Sequence, residues 1–249
     1  PEAIVESAVS EGLQIVALTD HNSIVNVPQA IAYAKGKPLF VLPGVEIATA
    51  QGHLLIYMPS IAGLQNLMGR LTFSVGNEYC TAGIEQCLQM AADLGGVGIA
   101  AHIDVDAGFD QKIPGYTPVK AGFLKHVALL ALEIKYVASL DKYSSKDVEP
   151  ERVRIARERR DALRLTDDLP KVMSSDAHSL EALGHNAAGN RRVTRLKLDE
   201  LTFDAFRISL QEGAVRCRIE EEIPAGVPRI VGAHFQGGFL DDQVIHFSP

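Results

Sequence analysis

The chain has 249 residues, of which 47% are hydrophobic and 22% are charged, and its formal net charge is −7. This composition is typical of a globular protein with a sizeable core and excludes a disordered chain. The negative charge argues against a protein that binds nucleic acid through overall charge alone. Apolar runs too short to span a membrane, three cysteines without a CxxC pair and no export signal favour a cytoplasmic location.

Short apolar runs separated by helix-length segments predict a sheet of mainly parallel strands that is covered by helices. Because the runs do not alternate with polar residues, both faces of each strand should be buried. The predicted strands are Gln14–Thr19, Leu39–Leu42, Leu54–Tyr57, Val97–Ala101, Leu129–Ile134 and Lys171–Ser174. The predicted helices are Glu2–Ser10, a segment from Pro28 to Gly36, Ala82–Leu94 and an exposed, charged helix over Val148–Leu165. Asp104–Gly122, rich in glycine, proline and aspartate, is predicted to be a long loop.

Histidines and carboxylates follow the apolar runs, at the points where the predicted strands end. In a parallel barrel these strand ends share one face, so the side chains should converge there. They are His21, Glu46, His102, Asp176 and His178, and His53 joins them from the start of its run. The position of His53 predicts a hairpin or an antiparallel strand. Asp176 and His178, two residues apart, should lie on one side of an extended strand.

Imidazole and carboxylate groups together suit zinc, manganese or iron, so these six residues predict a divalent-metal site. Asp20 is predicted either to orient a ligand or to contact the metal directly. The other four histidines are interpreted as structural or exposed, with His185 the nearest to the site; they are His126, His185, His234 and His246. A calcium loop at Asp104, Asp106 and Asp110 is not favoured, because no glycine or bidentate acid follows at the required spacing.

Five segments, in this order, resemble the PHP (polymerase and histidinol phosphatase) family over residues 1 to about 220. They are Leu18–Asn22, Pro43–Glu46, the strand that begins at His53, Ala100–His102 and Ser174–His178. The resemblance implies a distorted (β/α)7 barrel that binds up to three divalent metals and hydrolyses phosphoesters with a metal-activated water. The substrate would be a phosphoester and could include nucleic acid.

The resemblance also implies a role for each predicted ligand. Glu46 would bridge two metals, with His53 and His102 on one of them and Asp176 on the other. His21 and His178 would hold a third metal, and Glu46, Asp176 and His178 would form the catalytic group. The opening Asp-x-His-x-His motif of the family is absent from this sequence, so the ligand set is incomplete and this chain is expected to be weak or inactive.

The last part of the sequence predicts a domain boundary near residue 222. Glu220–Glu222 is followed by Pro224, Gly226 and Pro228, which break regular structure, so a PHP-like domain is assigned to residues 1–222. Residues 223–249 are predicted to begin another domain with an exposed β-hairpin, formed by Arg229–His234 and Gln243–Phe247 around a turn at Gly237–Asp242. This tail resembles the opening strands of SMC- and ABC-like ATPases.

The resemblance of the tail implies an ATPase domain in a longer parent chain, which is also suggested by a start at Pro1 without methionine. No G-x-x-x-x-G-K-[ST] occurs in the sequence, so no nucleotide binding is expected from these residues. Two alternatives to a phosphoesterase stay open at this point. One is an amidohydrolase-like metallohydrolase, which uses similar ligands, and the other is a degenerate PHP domain that serves as a non-catalytic scaffold for the ATPase.

Overall fold

The computed structural model describes residues 1–223 and 231–246, which form a mixed α/β fold. The helices are α1 (Glu2–Ser10), α2 (Val27–Tyr33), α3 (Ile61–Arg70), α4 (Ile84–Ala92), α5 (Phe109–Lys112), α6 (Pro118–Leu124), α7 (Pro150–Leu163), α8 (Phe203–Gln211) and α9 (Gly213–Arg216). The strands are β1 (Ile15–Val16), β2 (Phe40–Val41), β3 (Gly44–Thr49), β4 (Gly52–Tyr57), β5 (Val97–Ala100), β6 (Leu129–Glu133), β7 (Lys171–Val172), β8 (Thr194–Leu196), β9 (Cys217–Ile219), β10 (Gly232–His234) and β11 (Val244–His246).

The main sheet has five strands in the order β3-β4-β5-β6-β7. Its first two pairings, β3 with β4 and β4 with β5, are antiparallel, and the next two are parallel. The antiparallel strand predicted at His53 is therefore confirmed. Strands β1 and β2 form a separate parallel pair, and an isolated parallel bridge between His21 and Glu46 connects the segment after β1 to β3.

The predicted (β/α)7 barrel is not closed within the part of the chain that the structure describes. Strand β1 pairs with β2, and β7 pairs with β6. No ladder joins β1 to β7 in this part of the chain. Residues of β1, β7 and β8 instead line a cleft of about 1010 Å³. Both strands are only two residues long, which leaves little edge for a ladder across this gap.

Residues 104–122 are not the long loop that the sequence predicts, because they contain α5 and α6. The start of α6 has a standard helix signal: the Thr117 side chain accepts a hydrogen bond from the Lys120 amide, and Pro118 occupies the first turn. The predicted helices α1, α2, α4 and α7 are confirmed. Helix α7 is less exposed than predicted, because Ile155, Ala156 and Arg159 are buried.

The hydrophobic core lies between the sheet and the helices that cover it. Helix α4 contributes Ile84, Cys87, Leu88 and Ala91 to this core. Strand β5 needs glycine where α4 approaches it, because a Cβ at position 98 would lie 2.4 Å from Cδ2 of Leu88. This close packing fixes β5, whose end carries His102.

The C-terminal hairpin is confirmed within residues 231–246, where β10 and β11 pair antiparallel with Gly232 opposite His246. Among the described residues, Val231 and Gln243 lie outside the two strands, and most residues of the hairpin are exposed. The breaks predicted at Pro224, Gly226 and Pro228, and the start of the first hairpin strand at Arg229, lie outside the described residues. The division into domains at residue 222 therefore stays a prediction. Among the described helices, none combines the length and apolarity needed to cross a membrane.

Candidate metal centre

A buried carboxylate, Glu46 of β3, lies at the centre of three of the predicted ligands. Its Oε1 atom is 2.7 Å from Nδ1 of His53, 3.1 Å from Nε2 of His102 and 3.7 Å from Nδ1 of His21. Ligand atoms of His21, Glu46 and His53 all lie within 4.8 Å of one another. Four of the six residues that the sequence predicts as metal ligands are thus brought together.

The register of the β3–β4 hairpin places Glu46 and His53 together. Ala48 pairs with His53, and Glu46 pairs with Leu55, so Glu46 and His53 are diagonal neighbours on one face of the sheet. The imidazole ring of His53 is in edge-to-face contact with the rings of His21 and His102, at centroid distances of 5.0 and 5.1 Å. His53 is therefore the middle imidazole of a row of three.

Asn22 holds the segment that carries His21 against the hairpin. Its backbone amide donates to the Glu46 carbonyl at 2.8 Å, and its side-chain oxygen accepts from the Ala48 amide at 2.9 Å. Its side-chain nitrogen donates to the carbonyls of Asn77 and Glu78 at 2.8 and 3.2 Å. Asn22 is buried, so these bonds fix the chain beside His21 with little competition from water.

The histidines keep Glu46 ionised in spite of its burial. Burial alone would raise the pKa of Glu46, but the hydrogen bonds with His102 and His53 outweigh it and lower the pKa to about 2. Burial would likewise lower the pKa of His102, and its hydrogen bond with Glu46 together with the nearby charge of Glu133 raises that pKa instead. The cluster is therefore an ionised carboxylate surrounded by imidazoles. A bound metal cation would take the place of the protons that the imidazoles share with this carboxylate.

A second polar group, formed around Glu133, connects the ends of β5, β6 and β7. The Glu133 carboxylate is buried and accepts hydrogen bonds from the His102 amide at 2.9 Å and from the Ser174 hydroxyl. Burial raises the pKa of Glu133, although these two donors act against that effect. The carboxylate therefore joins the backbone that carries His102 to the backbone that leads to Asp176.

The remaining two predicted ligands line the cleft but lie outside the cluster around Glu46. The Asp176 carboxylate forms an ion pair with the ammonium group of Lys135. His178 is exposed, and its Nδ1 atom lies 3.1 Å from the Asp176 carbonyl. The prediction of an extended strand here is wrong, because β7 ends at Val172 and Asp176 has a φ of 49°.

Three residues of the site have left-handed backbone conformations without being glycine. Asn22 has a φ of 50°, His102 a φ of 27° and Asp176 a φ of 49°. Such conformations are uncommon for residues with a Cβ atom and cluster at functional sites. They turn the chain sharply at the ends of the strands, and at His102 and Asp176 the turned residue is itself a predicted ligand.

Asp20 and the histidines outside the set differ in how close they lie to the cluster. Asp20 is exposed at the edge of the cleft and accepts a hydrogen bond from the Asn26 side chain at 2.9 Å. Its role in orienting or contacting a metal stays a prediction. The other histidines have partners elsewhere: His185 is 3.6 Å from Glu11, His126 is 3.2 Å from Gln89 and His234 is 3.1 Å from Asp242.

Sequence reasoning missed three polar residues of this site: Glu133, Lys135 and Asp104. Glu133 lies at the end of the apolar run of β6, and Lys135 follows that run. The strand-end signal that found the histidines could therefore also have found these two residues. The Asp104 carboxylate accepts from the amides of Lys135 and Tyr136 at 2.8 and 2.9 Å. It thereby holds the loop after β6.

The residues present fit a divalent cation. Three imidazoles around one ionised carboxylate are the donor set of zinc, manganese and iron sites in proteins. The exposed face of His21 and the cleft beside it give access from solvent. His21, Glu46 and His53 are the group that would hold the ion, with His102 against the same carboxylate oxygen.

Comparison with known families gives a match between residues 1–143 and the PHP domain. The chain belongs to the PHP domain family. This membership confirms the resemblance to the PHP family over residues 1–143, and PHP domains are a family of metal-dependent phosphoesterases. A comparison with curated proteins gives no match.

Several solved structures share the fold of this chain. An endonuclease Q in complex with a 27-mer duplex substrate that carries an abasic lesion has a TM-score of 0.59 at 16% identity, over 87% of this chain and 52% of that one. The lesion-specific endonuclease PfuEndoQ from Pyrococcus furiosus has a TM-score of 0.58 at 16% identity, over 88% and 52%. A two-domain protein from Bacteroides vulgatus with a predicted PHP-like metal-dependent phosphoesterase has a TM-score of 0.55 at 17% identity, over 88% and 59%. The chain thus spans little more than half the length of these proteins.

Proposed function

We propose that this chain is a divalent-metal-dependent phosphoesterase domain, a phosphatase or a nuclease, whose metal is held by His21, Glu46, His53 and His102. The observation that carries the proposal is the convergence of three imidazoles on one oxygen of the buried Glu46 carboxylate. Isolated histidines at strand ends are common in cores and on surfaces, whereas a row of three around an ionised carboxylate supports a set of metal ligands.

The chemistry follows from the charges that line the cleft. When bound, a divalent ion activates water at neutral pH and neutralises the charge of a phosphoryl group. Glu46 supplies the negative charge that holds the ion, and the imidazoles supply neutral donors. Asp176, which we propose as a further catalytic residue, lines the same cleft, and His178 at its exposed edge is placed to meet a substrate.

Nucleic acid is the substrate class that we favour within the phosphoesters. The endonuclease Q structure to which this fold is similar contains a DNA duplex. In this chain, Lys135, Arg191 and Arg192 place cationic groups beside or on the cleft, although the net charge of the whole chain is −7. A phosphatase that acts on small phosphomonoesters is the alternative, since the same metal group would serve it.

The test is a comparison of metal content and hydrolysis in purified variants. We expect the wild-type protein to retain manganese or zinc after dialysis, and Glu46→Gln and His53→Ala to lose it. Hydrolysis of p-nitrophenyl phosphate, its bis-ester and single-stranded DNA should fall at least about tenfold in both variants and in Asp176→Ala, in line with the loss of a ligand or its support. His126→Ala, a histidine remote from the cleft, is the matched control. A wild-type protein that holds no metal would exclude this function.

A non-catalytic scaffold is the second candidate, and two observations favour it. The sequence has no Asp-x-His-x-His motif, and Asp176 is already paired with Lys135. We further propose, from the sequence of residues 230–249, that the parent protein continues into an ATPase domain that this domain serves. A G-x-x-x-x-G-K-[ST] within about twenty residues after Pro249 in the gene would support that arrangement through its strand–loop–helix context. A stop codon there would remove it.

A further inference from the structure

Lys135 is paired with Asp176, a predicted metal ligand that lies outside the cluster around Glu46. Its ammonium group forms an ion pair with Asp176, and both side chains are 27% exposed. Asp176 and Glu46 line the same cleft. The cation beside Asp176 is therefore a side chain of this protein.

The backbone of Lys135 is held from both sides. Its amide donates to the Asp104 carboxylate at 2.8 Å, and its carbonyl accepts from the Arg192 guanidinium at 2.8 Å. Asp104 is two residues from His102 in the sequence, and Arg192 is buried. A lysine on a mobile surface loop would leave its partner easily, whereas this one starts from a fixed position two residues beyond the buried Glu133.

The charges of the site are balanced without a second metal ion. Glu46 is the ionised carboxylate of the histidine cluster, and Lys135 neutralises Asp176. The Glu133 carboxylate is buried and already bonded to two hydrogen-bond donors, the His102 amide and the Ser174 hydroxyl. A divalent ion bound by the Asp176 carboxylate would have to displace the ammonium group of Lys135.

We propose that this domain holds a single divalent ion, at Glu46, and that the ammonium group of Lys135 takes the place of a second cation beside Asp176. The inference rests on the proposed metal-dependent function. Its chemical consequence is a phosphoryl-binding site with one metal and one fixed lysine, in which the ammonium group faces a phosphoryl oxygen when substrate enters the cleft. Lysine is a common phosphate-binding cation in proteins.

The test is the number of ions bound, measured by titrating the chelator-treated protein with Mn²⁺ and by native mass spectrometry. We expect one ion per chain in the wild-type protein and in Asp176→Asn, and at least about tenfold weaker binding in His53→Ala. Lys135→Met should bind a second, weaker ion, because Asp176 is then an uncompensated carboxylate. Lys135→Arg keeps the cation and should stay at one ion, as should the exposed control Lys146→Met.

The outcomes separate this inference from the proposed function. Two or more ions in the wild-type protein, loss of the single ion in Asp176→Asn, or a Lys135→Met protein that stays at one ion would each overturn the role of Lys135 while leaving a metal site. No ion in the wild-type protein would overturn the proposed function itself. Lys135→Arg keeps the positive charge and is the control for misfolding of the methionine variant. A second ion in the arginine variant would also contradict the inference.

Discussion

At the scale of single residues, the site depends on side chains that bind backbone as much as on the predicted ligands. Asn22 is bonded to the segments that carry Glu46, Ala48 and the 77–78 turn. Glu133 accepts a hydrogen bond from the backbone after β5, and Asp104 accepts hydrogen bonds from the backbone after β6. The geometry of the histidine cluster is therefore set by polar residues that would not themselves bind a metal.

Asn22→Ala is expected to lower the free energy of unfolding by about 1–3 kcal/mol, because it leaves a buried amide and two carbonyls without their side-chain partner. It should also weaken metal binding, since His21 loses its fixed neighbour. Urea unfolding and a Mn²⁺ titration measure the two effects. Asn66→Ala, at an exposed position of α3, is the control and should change neither. A variant as stable as the wild-type protein would contradict the role given to Asn22.

The histidines and carboxylates were predictable because each follows a recognisable apolar run. Glu46, His53 and His102 were found in this way, and the structure brings them together. The separation of Asp176 from them was not predictable, because it depends on the left-handed turn at Asp176 and on Lys135, which lies 41 residues away in the sequence. Contacts over such separations are set by the tertiary fold and leave no local pattern.

At the scale of elements, helices α5, α6 and α7 are joined by a buried ionic group around Asp110. The Asp110 side chain is 8% exposed and contacts Lys142 at 2.7 Å, Lys120 at 3.5 Å and Arg152 at 3.8 Å. It also accepts a hydrogen bond from the Tyr143 hydroxyl at 2.5 Å. The sequence could not show this group, since its members come from four segments that are read separately as helices and loops.

Asp110→Asn is expected to destabilise the protein in a pH-dependent way. Burial would raise the pKa of Asp110, but its bonds with Lys142 and Tyr143 lower it below 3.8. The ionised carboxylate therefore stabilises the folded state above pH 3.8, and this contribution is lost as the pH falls through the lowered pKa.

Urea unfolding at several pH values tests this prediction. The difference in stability between wild-type and Asp110→Asn proteins should be full at pH 7 and should shrink below about pH 4. Asp106→Asn, at an exposed position of the same segment, is the matched control. A difference that grows on acidification would contradict the argument.

Element boundaries were predicted less well than element types. The strands at residues 15–16 and 171–172 are much shorter than the apolar runs that contain them, because the neighbouring residues have no ladder partner across the cleft. Helices α5 and α6 were missed because their glycines and prolines resemble those of a loop. Pro118 in fact lies in the first turn of α6, where proline is favoured.

At the scale of the whole molecule, the sheet is open on the side where β1 and β7 line the cleft. The sequence predicted the class of fold, and membership of the PHP family agrees with it. It could not predict whether the ends of the sheet meet, because closure depends on pairing between strands that are far apart in the chain. The cleft thus places the proposed metal centre beside a large solvent-accessible space.

Metal should stabilise the whole fold if it binds the folded state alone. Mn²⁺ or Zn²⁺ at a hundredfold excess over its Kd adds about 2.7 kcal/mol, which corresponds to a rise in Tm of about 5–10 °C for a chain of this size. Thermal unfolding with added metal, and again after a chelator, measures this. His53→Ala should show no rise. An equal rise in that variant would place the bound metal elsewhere.

The left-handed residues at the strand ends lower the stability of the fold, but two of them supply side chains to the proposed site. Each non-glycine residue in this region costs on the order of 1 kcal/mol, and His102 and Asp176 are two of them. Glycine would relieve the strain at both positions but would remove an imidazole and a carboxylate from the cleft. Substitutions that raise the free energy of unfolding at these two positions would therefore remove proposed site residues while the fold is kept. A histidine and an aspartate at turns where glycine would be less strained support a functional role for both side chains.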